Sequence, residues 1–206
     1  VGRSIGMCII PIIVTIIIVL LALFVTAIYF PKLEKYVQII CMIPYTIQGV
    51  ILSVSILSLY VGSSSILSNR LVMLMGAYCI VILPYIYQGI RNGMRAVNMP
   101  TLIEAAEMLG ASKIYAFFRV VVPNILSAII VSSLLAVGII FGDYVLIRNL
   151  AGTSAPNMQI FLYQTMKRDS TKASAVFVVI MFVTFVITAI VLFVKSREAK
   201  GKTHRK

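Results

Sequence analysis

Charge is what this chain has least of. Asp, Glu, Lys and Arg make up 12% of its 206 residues, 61% are hydrophobic, and mean hydropathy is +1.05. A soluble domain usually carries about 25% charged and about 45–50% apolar residues. No single water-soluble core of this length absorbs that excess, so the composition excludes a soluble globular protein and implies an integral membrane protein. Low hydrophobicity, glycine periodicity and dense cysteine are missing too, which removes disordered, collagen-like and disulfide-scaffold readings. Three cysteines, Cys8, Cys41 and Cys79, lie inside apolar runs at no metal-like spacing and read as small hydrophobes. Tryptophan is absent, so Tyr and Phe must supply any aromatic anchoring at an interface. The single histidine, His204, sits in the polar C-terminal tail, away from any Ser, Cys or carboxylate arrangement that would make a catalytic site.

Acidic residues are scarcer than basic ones, 6 against 18, for a formal charge of +12. In a soluble protein this balance would suggest nucleic acid; in a membrane protein, Lys and Arg concentrate in cytoplasmic loops. A helix needs about 20 apolar residues to cross about 30 Å of hydrocarbon. The charge-free stretches support five spans, at about 5–29, 38–60, 71–90, 124–147 and 174–195, the second closed by the turn at Gly62–Ser65. The stretch 149–166 holds Gly152, Pro156, Asn157 and two Gln and reads as an external segment, part of 148–173. Continuous rather than alternating apolar runs argue against a β-barrel. With residues 91–123 cytoplasmic, the inside carries Lys32, Lys35, Arg91, Arg95, Lys113, Arg119 and six tail residues, against Arg3, Arg70, Arg148, Lys167, Arg168 and Lys172 outside. That twofold bias favours a cytoplasmic 91–123 loop and a cytoplasmic basic tail, 196–206.

The 91–123 segment is too apolar for a solvated loop. Thr101-Leu-Ile-Glu104 has the spacing of a capping box, Gly110 suits a left-handed position after a helix, and Ser112 is placed to cap a second short helix through Lys113–Val122. Pro123 then opens the next span. The expected shape is a helix–turn–helix bracket with a rigid corner, whose apolar surface calls for a groove in a partner.

Here the sequence resembles a family. Glu104-Ala105-Ala106, three residues, Gly110, nine residues and Val120-Val-Val122-Pro123 follow the "EAA" signature of permease subunits of binding-protein-dependent ABC importers, E-A-A-x3-G-x9-I-x-L-P. Val120 and Val122 replace Ile and Leu, both apolar changes. The resemblance covers about 5–195 and implies an all-α type I importer transmembrane domain, usually of six spans, so that the start at Val1 suggests a missing first span. It also implies that the bracket is a coupling helix region seated on a cytoplasmic ATPase, with Glu104, Ala105, Ala106, Gly110, Ala111 and Ser112 as the contact positions. The partners implied are a second permease subunit, two ABC ATPases holding ATP and Mg, and an extracytoplasmic substrate-binding protein. The chain itself is then expected to be no enzyme, with no cofactor of its own. Its one Gly-Lys-Thr, Gly201-Lys202-Thr203, has Ser196 where a P-loop needs glycine.

Two features bear on the solute. Asp143, in Phe141-Gly142-Asp143-Tyr144, is the only acidic residue read inside or beside a span, so it is either functional, hydrated at the headgroups, or paired with Arg148. Ile43-Pro44-Tyr45-x-x-Gln48-Gly49 recurs as Leu83-Pro84-Tyr85-x-x-Gln88-Gly89. Prolines bend a membrane helix, and Tyr45, Gln48, Tyr85 and Gln88 either bond between helices or line a pathway. Because the two spans run in opposite directions, the motifs are expected in opposite membrane halves. The FGDYVL stretch, Gly110-Ala-Ser112 and the external segment look most like spermidine/putrescine permeases, and Asp143 with Tyr144 would attract a polycation by charge and cation–π contact. Iron, thiamine, sulfate, molybdate and phosphonate permeases share the same implied fold. A self-sufficient channel, a secondary transporter and a membrane scaffold are the competing classes.

Overall fold

The computed structural model describes residues 2–47, 49–60, 69–152, 158–168, 171–172, 174–186 and 189. Gln48, the Gly62–Ser65 turn, the end of the 174–195 span and the 196–206 tail lie outside the described residues. The described elements are helical: α1 (Gly2–Ile28), a 3₁₀ turn (Pro31–Leu33), α2 (Glu34–Thr46), α3 (Gly49–Tyr60), α4 (Arg70–Ala96), α5 (Met99–Met108), α6 (Lys113–Ala116), a π-helical turn (Phe117–Val121), α7 (Val122–Asn124), α8 (Leu126–Gly142), a second π-helical turn (Ile147–Ala151), α9 (Met158–Arg168) and α10 (Ser174–Val186).

Among the described residues two helices are long and apolar enough to cross a membrane unbroken, over Cys8–Ile28 and Arg70–Ala96. The 38–60 and 124–147 stretches, expected as continuous helices, are both broken. Pro31–Thr46 and Gly49–Tyr60 meet at 97°, with Ile47 extended after Pro44, and Lys113–Asn124 meets Leu126–Gly142 at 64°. At the second break the chain carries Pro123, whose ring crowds the preceding turn and whose nitrogen donates nothing. The helix ahead of it widens into the π-helical turn, and the Asn124 side-chain amide donates to the Val120 carbonyl at 2.8 Å. The far end of the 124–147 stretch is broken as well: α8 stops at Gly142, and Asp143 is extended.

α4 is the central rod. Its inward stripe, from Leu74, Ala77 and Tyr78 through Ile82 and Ile86 to Ile90, is buried against α1, α2 and α8. α1 contributes Cys8, Ile12, Thr15, Val19 and Leu23 at three- and four-residue spacing, while Ile9, Ile13, Ile17 and Leu21 on its other face are exposed. α4 and α8 cross where Gly89-x3-Gly93 faces Ala128-x3-Ser132. A Cβ at Gly89 would stand 2.5 Å from Ser132 Cβ, and one at Gly93 2.5 Å from Ala128 Cβ. In a membrane, where burying apolar surface drives little helix association, small residues permit this backbone approach and the dispersion contacts that follow. Ser132 satisfies its hydroxyl within its own helix, donating to the Ala128 carbonyl at 2.9 Å.

Side-chain pairs between distant helices sort the described elements into two ends. At one end Arg91 donates to Glu34 Oε1 through both Nε (2.9 Å) and Nη2 (2.7 Å), Arg95 approaches the same oxygen at 3.5 Å, and Phe24 packs on Phe117. At the other, Tyr78 meets Asp143, and a Cβ at Gly152 would lie 3.5 Å from Arg70 Nη1. The 91–124 bracket therefore shares an end with residues 24–35.

Candidate functional site

The bracket is built from backbone rules. Asn98 adopts the left-handed conformation (φ 52°, ψ 58°), which Asn tolerates better than most residues, and Pro100 occupies the first turn of α5, where its missing N–H costs nothing. α5 thus starts two residues before Thr101, and the expected Thr101–Glu104 capping box does not form; Thr101 is an interior helical residue. The C-terminal reading stands differently. Gly110 has φ +84°, its N–H donates to the Glu107 carbonyl at 2.9 Å, and the Ala111 N–H donates to the Ala106 carbonyl at 3.0 Å. These two bonds are the Schellman pattern that closes a helix on a left-handed residue. Ser112 then caps α6, its Oγ accepting from the Tyr115 N–H at 3.3 Å.

The corner is anchored from below and bare above. Met99, Ile103, Ala106, Ala116, Phe117 and Val121 are buried, with the Phe117 ring 4.9 Å from that of Phe24. Glu104, Ala105, Gly110 and Ser112 are exposed, Ala111 is half-buried, and Lys113 Nζ lies 3.8 Å from Glu107 Oε1 across the turn. At the apex Met108 is 91% exposed and Leu109 90%, figures that make them the most exposed large apolar side chains on the described surface.

The structure relocates the other expected site residues. Asp143 does not pair with Arg148. Its carboxylate accepts from the Tyr78 hydroxyl at 3.3 Å and from the backbone N–H groups of Ile147 (3.3 Å) and Leu146 (3.5 Å), so it caps the turn that follows α8. Tyr144 is likewise engaged. Arg148 donates to its hydroxyl and packs against two rings, its guanidinium carbon 5.6 Å from the Tyr144 centroid and 4.8 Å from that of Tyr163. Lys167 covers Tyr163 from 4.9 Å, and hydrogen bonding by Arg148 and Lys167 holds the Tyr163 phenol below its ordinary range. Sequence reasoning missed Tyr78, Tyr163 and the facing glycines; only Gly89-x3-Gly93 leaves a local signature.

The two Pro-Tyr motifs, expected in opposite halves, meet. Tyr45 and Tyr85 have ring centroids 5.6 Å apart, and Gln88 Nε2 lies 3.2 Å from Met42 Sδ. With Thr46 and Pro84 these residues line a cavity of about 280 Å³. Depth explains the difference: one helix leaves, and the other approaches, the end marked by Glu34 and Arg91. Tyr45 stands about 16 Å from Glu34 and Tyr85 about 9 Å from Arg91 along their axes, at 1.5 Å per residue. Long side chains close the remaining gap. Gln48, the fourth polar member of the repeat, lies outside the described residues.

A helical chain with unbroken and bent apolar spans around one rod, and an apolar corner at one end, defines a multi-pass membrane protein. Residues 4–198 match the family of binding-protein-dependent transport system inner membrane components, and the chain belongs to that family. Its fold is the all-α type I ABC importer transmembrane domain. A comparison with curated proteins finds no match.

Proposed function

We propose that the chain is one of two permease subunits that together form the pathway of an ATP-driven importer. Its bracket is the contact for a cytoplasmic ABC ATPase. In this reading ATP and Mg are held and used by two such partners, a binding protein delivers solute at the opposite end, and the bracket and basic tail are cytoplasmic. The observation that carries the coupling role is the apex: Met108 and Leu109, almost fully exposed, on a corner fixed by the Gly110 closure, the Ser112 cap and the Phe24–Phe117 contact. Exposed apolar side chains on a stiff base suit insertion into a groove, because little ordering entropy is lost on docking.

The solute we assign is a polyamine, supported by the resemblance in the FGDYVL stretch. Asp143 serves this reading less than its charge suggests, since its oxygens already accept from Tyr78 and two backbone N–H groups. The test of the permease reading is extraction in mild detergent followed by mass spectrometry. A stoichiometric P-loop ATPase is the expected companion, and a purified assembly without one contradicts the reading.

A further inference from the structure

Among the described residues the aromatic pairs include two that bring tyrosines of distant segments together at a tilt, 39° for Tyr144–Tyr163 and 49° for Tyr45–Tyr85, and the protein's own cation already occupies one of them. The Arg148 guanidinium packs against both Tyr144 and Tyr163, whose centroids are 5.0 Å apart. Tyr45 and Tyr85, at 5.6 Å, make the second, and among the described residues no Lys or Arg stacks on either ring. This second pair opens into the cavity of about 280 Å³, where Tyr45 is 64% exposed and Gln88 is also exposed.

The six lining residues are Met42, Tyr45, Thr46, Pro84, Tyr85 and Gln88, and none carries a charge. What they offer is acceptor density: two π faces, a thioether sulfur, the Thr46 oxygen and the Gln88 carboxamide oxygen. The Gln88 amide nitrogen meets only the Met42 sulfur, a weak acceptor, among the described residues. An anion would find two phenols and one amide as donors, with no cation to balance it. An ammonium group would find ring faces and oxygens of the partial charge it requires, without the desolvation of an opposing carboxylate.

We propose that solute is selected in this subunit at the Tyr45–Tyr85 cavity, and that the cavity takes an organic ammonium group by its ring faces and neutral oxygens, with no part played by Asp143. This rests on the permease reading above and names its solute-contact site.

The test uses the whole assembly in proteoliposomes, with radiolabelled spermidine and choline as probes and the ATPase content of each preparation measured alongside. Ring loss through Tyr45→Leu or Tyr85→Leu is expected to lower uptake at least about tenfold, while Tyr45→Phe and Tyr85→Phe keep about a third or more, since phenylalanine retains the π face. In a second measurement, spermidine or choline is expected to slow thiol alkylation of the assembly carrying Thr46→Cys, which decides the matter if a leucine variant fails to assemble. The proposal is overturned by leucine variants that transport normally, by phenylalanine variants as impaired as leucine ones, by absent protection at position 46, or by an ATPase-containing assembly that carries neither probe. A preparation with no ATPase at all overturns the permease reading instead.

Discussion

Gly93 of α4 lies so close to Ala128 of α8 that a Cβ on the glycine would stand 2.5 Å from the alanine's. Neither atom belongs to a flexible side chain, so the helices must part to admit it. Gly93→Ala is expected to destabilise the protein by about 1–3 kcal/mol, the usual cost of overpacking. Combining it with Ala128→Gly, which removes the opposing atom, should recover most of the loss. Thermal unfolding in detergent of the single and paired variants checks this; failure of the pair to recover would mean that the crossing is looser than described.

The Glu34 carboxylate is shared unequally. Arg91 reaches it through two nitrogens with 14% of its own side chain exposed, whereas Arg95 is 63% exposed and 3.5 Å away. Truncating Arg91 to Ala should therefore cost more than truncating Arg95: about 2 kcal/mol for the half-buried pair against under about 1 kcal/mol for the exposed one. The same unfolding assay ranks them, and equal effects would remove the clamp from the account.

Asp143 makes a third expectation, this time about the turn after α8. Asp143→Ala removes the acceptor for the Leu146 and Ile147 N–H groups and should cost about 1 kcal/mol, in the range of helix caps. Asp143→Asn keeps an acceptor oxygen and should cost less. Hydrogen exchange at residues 145–151 reads the difference locally. Protection that does not change in Asp143→Ala would show that the carboxylate does not hold this turn.

How far the sequence discloses these features depends on how local each one is. The Gly110 closure and the Ser112 cap are legible because each involves residues within five positions. The start of α5 is misread because two local signals compete, and Pro100 with Asn98 prevails over the Thr101–Glu104 spacing. The apolar α1 and α4 follow directly from hydropathy, though α4 runs on to Ala96, past the expected end at 90, while the breaks at Ile47 and Ile125 do not, since a proline in an apolar run bends one helix and ends another. Asp143's partner, Tyr78, is 65 residues away and carries no mark of the pairing. Convergence of the Pro-Tyr motifs was readable in principle. Pro44 falls six residues after position 38 and Pro84 six before position 90, so reversed direction places both in the half marked by Glu34 and Arg91.

Gly110 tests the corner itself. At φ +84° a β-branched side chain is strained whatever the open space around it. Gly110→Val should leave α4 and α8 packed, because nothing lies within 4 Å of the position, yet misaim Met108 and Leu109. Transport in the reconstituted assembly is expected to fall at least about tenfold, the equivalent of about 1.4 kcal/mol, with little change in unfolding temperature. Normal transport would show that the corner's angle is unimportant.

The central claim is that the apex of the bracket touches an ATPase, and site-specific cross-linking asks this directly. Leu109→Cys places a thiol on a side chain 90% exposed, while the native Cys8 and Cys41 are buried and Cys79 is half-buried. Treated with a short bifunctional thiol-to-amine reagent in membranes, the variant is expected to form a covalent adduct with a P-loop ATPase, and a thiol placed by Lys167→Cys at the opposite end is not. No ATPase adduct from position 109, or an equal one from position 167, would contradict the account.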